Sequence, residues 1–427
     1  MSEHFTVVVV GGGQAGLSMS WHLGRLGVDH VVLERDQAGH EWRDRRWDSF
    51  CLVTPNWQVD LPGFPYAGDD PDGFMSGAEV VEHLEAYAAS FAPPLRQGVT
   101  VTRLRRTAAG IFALQTSDGD LTADQVVVAT GPYHAPAVPR LAERLPAGIT
   151  QLHSSEYRRA SQLPDGDVLV VGTGQSGCQI AEDLHLAGRR VHLAVGSAPR
   201  AARRYRGRDT LTWLDAMGHY AKGVDEFGDV DEVRVRANHY MTGRDGGRDI
   251  DLRLFATQGM QLYGRLLDVT EGALTFGSDL TINLDNADAV AEGIKDAIDR
   301  WIAAKGIDAP TESRYVPVWE PPSEPRALEA GELAAVVWAT GFHRDHRWIQ
   351  VPVFDGRGYP THDRGVTSCP GLYFLGLPWL WTWGSGRFAG IARDAAHLAA
   401  KITAPRRLRK AEDVIWLAGT APETVAA

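Results

Sequence analysis

An α/β chain that uses one strand–helix–strand unit twice is what the sequence predicts, and three observations carry it. The apolar run FTVVVV at 5–10 feeds straight into GGGQAG at 11–16. The same grammar returns at 168–177, where VLVV is followed by GTGQSG. After each glycine stretch come a helical pattern and a second apolar strand, the order of a buried parallel β-α-β unit.

The elements follow in order. The first helix runs through Leu23 to the strand VDHVVLE, ending at Glu34. A helix is expected at 77–91 and strands near 99–105, 111–116 and 121–129. The proline-rich GPYHAPAVP at 131–139 marks a crossing. The second unit places Cys178, Ile180, Ala181 and Leu184 on its helix and ends in RVHLAV. Residues 205–285, rich in Gly, Arg and Asp, read as scattered short elements. An amphipathic helix spans 287–304, with Val290, Ile294, Ala297, Ile298 and Trp301 at helical spacing. PVWEPPSEP is a second crossing, AAVVWATG at 334–341 echoes QVVVATG at 125–131, and GLYFLG at 371–376 leads through a turn into a helix at 387–402. PRRLRK at 405–410 reads as a solvated terminal segment. The expected division is a discontinuous domain of 1–150 and 325–427 with a second domain, 151–324, inserted in it.

Composition narrows the function classes. A chain of 427 residues holds two or three domains. With 44% hydrophobic and 23% charged residues it is neither disordered nor fibrous. A net charge of −11, with no long basic block, makes nucleic acid an unsuitable partner. No apolar run approaches the roughly 18 residues of a membrane-spanning helix, and MSEHFTVVVVGGG lacks the charged and apolar regions of a signal peptide, so a cytoplasmic protein is expected. Cys51, Cys178 and Cys369 are far apart and form no C-x-x-C pair, which speaks against a disulfide framework, a zinc site and a dithiol mechanism. No metal site is expected elsewhere, and Cys178 reads as an inert packing residue.

Gly11, Gly13 and Gly16 form G-x-G-x-x-G between strand and helix, the pattern that lets backbone approach a pyrophosphate. Glu34 lies 34 − 16 = 18 residues beyond the last of them, where an acid would meet ribose hydroxyls. Gly172, Gly174 and Gly177 repeat the fingerprint, but the next strand ends Ala194-Val195-Gly196-Ser197 without an acid. Arg200, Arg203 and Arg204 follow, and a guanidinium suits a ribose 2′-phosphate, so NADPH is expected at the second fingerprint, with Ser197 and these arginines in contact. Two Rossmann-like dinucleotide-binding domains in one chain suggest a flavin and a nicotinamide between which hydride passes.

GGGQAG, Glu34, EWRDRRWDSFCLVTPN, the paired ATG strand ends at 129–131 and 339–341 with Phe342, and GTGQSG resemble the class B flavin monooxygenases. The resemblance covers residues 1 to about 204 and 334–400. It implies FAD at the first fingerprint, contacted by Gly11, Gly13, Gly16, Glu34, Trp42, Thr130, Gly131 and Gly376. It implies NADPH at the second, and oxygen transfer to a small organic substrate, a nitrogen or sulfur nucleophile or a carbonyl compound, through a hydroperoxyflavin. The family's linker signature is half kept in AGITQLHSSEY, which supplies His153 and Tyr157 at the domain joint while Ala147 and Ile149 replace Phe and Gly. Where animal members carry an asparagine near the flavin this chain has Val53, with Asn56 three residues on as the candidate. Trp379, Trp381 and Trp383 are candidates for the substrate pocket wall, which must keep water out. An oxidase or reductase that inserts no oxygen, and a non-catalytic redox sensor, stay open, as does a homodimer.

Overall fold

The computed structural model describes residues 3–270, 272–323 and 325–404. Its first apolar run is β1 (Glu3–Val10), with Val7, Val8 and Val9 wholly buried because the strand lies mid-sheet. Helix α1 (Gln14–Arg25) returns the chain to β2 (His30–Glu34), parallel to β1 with Val10 opposite Leu33. Helix α2 (Gly77–Phe91) opens with a capping box: Ser76 Oγ accepts from the Glu79 N–H, and the Glu79 carboxylate accepts from the Ser76 N–H. Strands β3 (Leu95–Gln97), β4 (Val101–Arg106), β5 (Phe112–Thr116) and β6 (Gly119–Val128) extend a sheet ordered β4-β5-β6-β1-β2-β3, with the later strand Ile349–Gln350 on the outer side of β4. The first half of β6 pairs with β5, and its end, Val126–Val128, takes the late strand Leu372–Phe374 as a parallel neighbour.

The second sheet is parallel throughout. It comprises β7 (Thr150–His153), β8 (Asp167–Val171), β9 (Val191–Ala194), β10 (Gln261–Tyr263) and β11 (Leu333–Trp338), ordered β7-β11-β8-β9-β10. Helix α3 (Gln175–Leu186) joins β8 to β9, with Cys178, Ile180, Ala181 and Leu184 fully buried on it.

Two expectations shift, and the scattered short elements of 205–285 take definite form. The return to the first sheet comes later than residue 325: β11 is the strand between β7 and β8, so the second unit keeps the chain through Trp338. The long helix α4 (Leu280–Lys305) starts earlier than 287, since Leu280, Asn283, Leu284 and Ala287 extend its buried stripe. Within 205–285 the short helices Thr210–Ala216, Val230–Val235 and Leu252–Thr257 appear together with β10, an edge strand of the second sheet. The last helix, Phe388–Thr403, lies where the sequence put it. PRRLRK, and the rest of 405–427, lies outside the described residues.

The first crossing meets the segment that follows β11. Ala135–Pro136 on the way out pairs antiparallel with Phe342–His343 on the way back, a two-stranded ribbon between the sheets.

Candidate dinucleotide and active site

A methyl group added to each fingerprint glycine separates their roles. At Gly11 (φ +113°) it would lie 2.5 Å from the Ala129 carbonyl oxygen, and at Gly172 (φ +102°) 2.7 Å from that of Ala339. At Gly16 and Gly177 it would collide with the carbonyls of Gly11 and Gly172. At Gly13 and Gly174, each the residue before its helix, it would meet no protein atom within 4 Å. The outer glycines are therefore required by the fold itself, whereas the middle ones leave open space at a helix N-terminus, the place where a pyrophosphate approaches. Both loops fit the dinucleotides expected of them.

What faces the sugar differs between the two. Glu34 Oε2 accepts from the Gly12 N–H at 2.6 Å and Oε1 from the Asp36 N–H at 2.9 Å, so the carboxylate is fixed against the first loop. In the second unit Val171 is opposite Ala194 as Val10 is opposite Leu33, which aligns Val195 with Glu34. Val195 is buried, and its carbonyl accepts from Asn283 Nδ2 of α4. The acid is replaced by a valine, and the loop is held from the other side, Thr173 Oγ1 accepting from the Gly196 N–H.

The three arginines part company. Arg200 is buried, 2.5 Å from Asp288 and stacked on Tyr315. Arg203, only 2% exposed, pairs with Asp209 at 2.6 Å and donates to the Val53 carbonyl. Each guanidinium is committed to a carboxylate, Arg203 to Asp209 and Arg200 to Asp288, which Arg253 also holds, so neither can turn to a phosphate without breaking a buried ion pair. Arg204 is exposed, with one long contact to the Gly246 carbonyl, and Ser197 is exposed as well.

At the joint His153 is buried, its Nε2 2.9 Å from the Gly341 carbonyl oxygen and its Nδ1 2.9 Å from Ser155 Oγ, with Phe342 edge-on to the ring. It ties the end of β7 to the returning crossing. Burial lowers its pKa, so the ring is neutral and donates one of these bonds. Tyr157 OH donates to Asp183 at 2.6 Å, and Asp183 also takes Ser49 Oγ and Arg244, binding α3 to the first domain.

On the face above the first loop Trp42 Nε1 donates to Gln14 Oε1, and Gln14 Nε2 donates to the Gly386 carbonyl. The Trp42 ring stacks on Phe388. Gln14, an unmarked position inside GGGQAG, was not singled out by sequence reasoning, because only the fold brings residue 386 beside it. Thr130 Oγ1 bonds His134 at the end of β6, and Gly131 (φ +68°) and Gly376 (φ +83°) turn the chain there, a methyl at Gly376 falling 2.8 Å from Ala15 Cβ.

Asn56 is buried with its whole amide engaged: Nδ2 donates to the Asp70 carbonyl and Oδ1 accepts from the Met75 N–H. It pins a loop. The tryptophans diverge. Trp383 stacks on Tyr220 at 4.2 Å between centroids and, like Val53, packs against the cluster of Ala201, Leu211 and Met241, whereas Trp381 lies among Arg364, Arg393 and His397. Trp379 (φ +54°) abuts Phe227. Cys51, Cys178 and Cys369 are all free, and burial raises the Cys178 thiol pKa well above normal. Among the described residues no group of three or more His, Cys, Asp or Glu is placed to hold a metal, and no helix is long and apolar enough to cross a membrane.

Two such loops, each between a parallel strand and the helix that follows it, define a protein built to hold two dinucleotides. The chain belongs to the pyridine nucleotide-disulphide oxidoreductase family, which it matches over residues 8–239. It is 32% identical over 405 residues to a CzcO-like oxidoreductase of Geobacillus kaustophilus, covering 93% of this chain and 98% of that protein. It is 35% identical over 191 residues to the indole-3-pyruvate monooxygenase YUCCA1 of Oryza sativa, 44% of this chain and 47% of that one. Among solved structures it resembles a flavin-containing monooxygenase from Stenotrophomonas maltophilia (TM-score 0.64, 20% identity, 94% of this chain and 99% of that one). It also resembles OTEMO in complex with FAD and NADP (TM-score 0.55, 16% identity, 94% and 86%). The resemblance to the class B flavin monooxygenases thus recurs in both the sequence and the structural comparison.

Proposed function

We propose that this oxidoreductase binds FAD at the first loop and NADPH at the second and uses them with O₂ to oxygenate a small organic substrate. The observation that carries this reading is the paired behaviour of Gly13 and Gly174, whose space is claimed by no protein atom. FAD, when bound, supplies hydride acceptance and oxygen activation. The chain's own share is to hold and shield. Glu34 fixes the first loop and offers its remaining lone pairs to a ribose. Val195 removes the acid that would repel a 2′-phosphate, and Arg204, exposed, is the one of the three following arginines with no ion pair among the described residues. His153 and Tyr157 hold the two units in register, and Trp42 and Trp383 supply apolar cover that excludes water. The three free cysteines suit a cytoplasmic setting.

The purified protein tests this directly. It should carry one FAD, bleach with NADPH faster than with NADH, and incorporate isotope from labelled O₂ into product. Peroxide in full yield from every substrate, with no label incorporated, would favour the oxidase reading, which Val53 supports.

A further inference from the structure

His346 is buried and unmatched. It is 7% exposed, stacked on Phe354 at 5.3 Å and edge-on to His134 and Phe374, and among the described residues no group completes a hydrogen bond to either ring nitrogen. The Gly358 backbone is felt by the ring but completes none. Leaving a buried polar group unpaired is costly, and a native fold that does so calls for a partner from outside the chain.

The ring forms part of the wall of an open cavity of about 530 Å³, and the polar remainder of that wall is basic. His343, Arg344, Arg347 and Arg357 line it, and no carboxylate does. In a chain of net charge −11 this is a local reversal of sign. Arg347 and Arg357 pair with Asp345 and Asp231, but both arginines are exposed, and exposed pairs hold weakly. Arg344 has no carboxylate at ion-pair distance among the described residues. It lies over the Tyr359 ring at 4.8 Å; Asp355 feels it from beyond that distance and is itself taken by the N–H groups of Arg357 and Tyr359. Phe342, Ile349 and Phe354 give the cavity an apolar side.

We propose that this cavity is a binding site for a phosphate group, as the free ion or as the head of a small phosphomonoester, separate from both dinucleotide loops. Arg344 supplies the guanidinium fork, Arg347 and Arg357 add charge, and His346 brings an N–H and a lone pair from the wall. Donors arriving from several directions suit an anion with three or four oxygens better than a planar carboxylate with two. The apolar side takes the carbon body of an ester. None of the fingerprint glycines, Glu34 or Trp42 lines the cavity, so the site stands whether or not the flavin reading does. FAD is the rival source of phosphate, because His134, edge-on to His346, bonds Thr130 at the end of β6.

The protein as purified, its FAD content measured, tests this by calorimetric titration with inorganic phosphate and with glycerol 3-phosphate, chloride keeping the ionic strength constant. Saturable binding with a Kd below about 1 mM is expected of at least one, and the tighter of the two names the source. Arg344→Gln, at an exposed position, should weaken it by about tenfold, the size of one charge-assisted hydrogen bond, while FAD content and melting temperature stay as they are. His346→Phe, which keeps the packing and removes both ring nitrogens, should weaken it as well. Absence of saturable binding of either compound up to about 10 mM overturns the proposal and needs no variant. So does binding that both substitutions leave unchanged. Binding abolished by saturating NADP⁺, or loss of FAD from Arg344→Gln, also overturns it, since the phosphate is then that of a dinucleotide.

Discussion

Glu34 accepts from the Gly12 N–H at 2.6 Å, and the contact is as much a packing constraint as a hydrogen bond. A Cβ at residue 12 would lie 2.8 Å from that of Glu34, so the glycine and the acid are chosen together. Glu34→Gln should keep the fold and retain most FAD, since an amide oxygen can still accept from Gly12. Glu34→Ala also frees the Asp36 N–H and should lower FAD affinity by about tenfold, as two polar contacts are lost. Flavin released on dilution, measured by fluorescence, checks the order.

Gly13→Ala and Gly16→Ala should fail differently. The first puts a methyl into space left by the protein, so the apo protein should melt within a few degrees of wild type yet retain no FAD. The second drives a methyl into the Gly11 carbonyl and should lower stability by several kcal/mol even without cofactor. Equal melting temperatures for the two apo proteins would show that the glycines are not divided in this way.

Coenzyme choice should fall to Arg204. Arg204→Ala is expected to raise the NADPH KM by roughly tenfold with little change in kcat or melting temperature, and to leave NADH unaffected. Arg203→Ala should instead destabilise the fold by about 3–5 kcal/mol, because Asp209 loses its buried partner, and Arg200→Ala by less, because Asp288 keeps Arg253. Kinetics with both coenzymes, alongside thermal melts, separate the two classes.

The tryptophans permit a matched pair. Trp383→Ala should raise peroxide released per NADPH consumed, because it opens the apolar face beside Val53 and Tyr220. Trp381→Ala, on the side of Arg364 and Arg393, should leave coupling unchanged. Asn56→Ala should act on stability instead, since its amide spans Asp70 and Met75.

Acid sensitivity has a definite sign at His346. The ring is buried, stacked on Phe354 and edge-on to Phe374, and burial, with His134 adding to it, holds its pKa down to about 4. An unfolded ring titrates near 6.5, so between about pH 6.5 and 4 only the unfolded state takes up the proton. Stability is unaffected above that window and falls as pH drops through it, by up to about 3 kcal/mol. His346→Phe should flatten the melting temperature over this range relative to wild type.

How far the sequence reaches depends on distance along the chain. Both fingerprints and Glu34 are local patterns, and they occupy the places in the fold that their spacing implies. Leu333–Trp338 reads as a buried strand in any sheet; that it pairs between Thr150–His153 and Asp167–Val171 is decided by partners remote in sequence. The arginine stretch misleads for the same reason. A run containing Arg200, Arg203 and Arg204 looks solvated or phosphate-seeking until the fold brings Asp288 to the first and Asp209 to the second. Asn56 is similar: its residue type suits chemistry, but its two bonds are made within its own loop.

The ribbon of Ala135–Pro136 against Phe342–His343 makes the chain modular in a concrete sense. Entry to and exit from the second unit stand side by side, about 5 Å apart as antiparallel partners do. Everything between them is a cartridge whose two ends share one socket. Another unit spliced between Pro136 and Phe342 would leave the strand pairing of the first sheet as it is, while the contacts of Ser49 with Asp183 and of Val53 with Arg203 would have to be rebuilt.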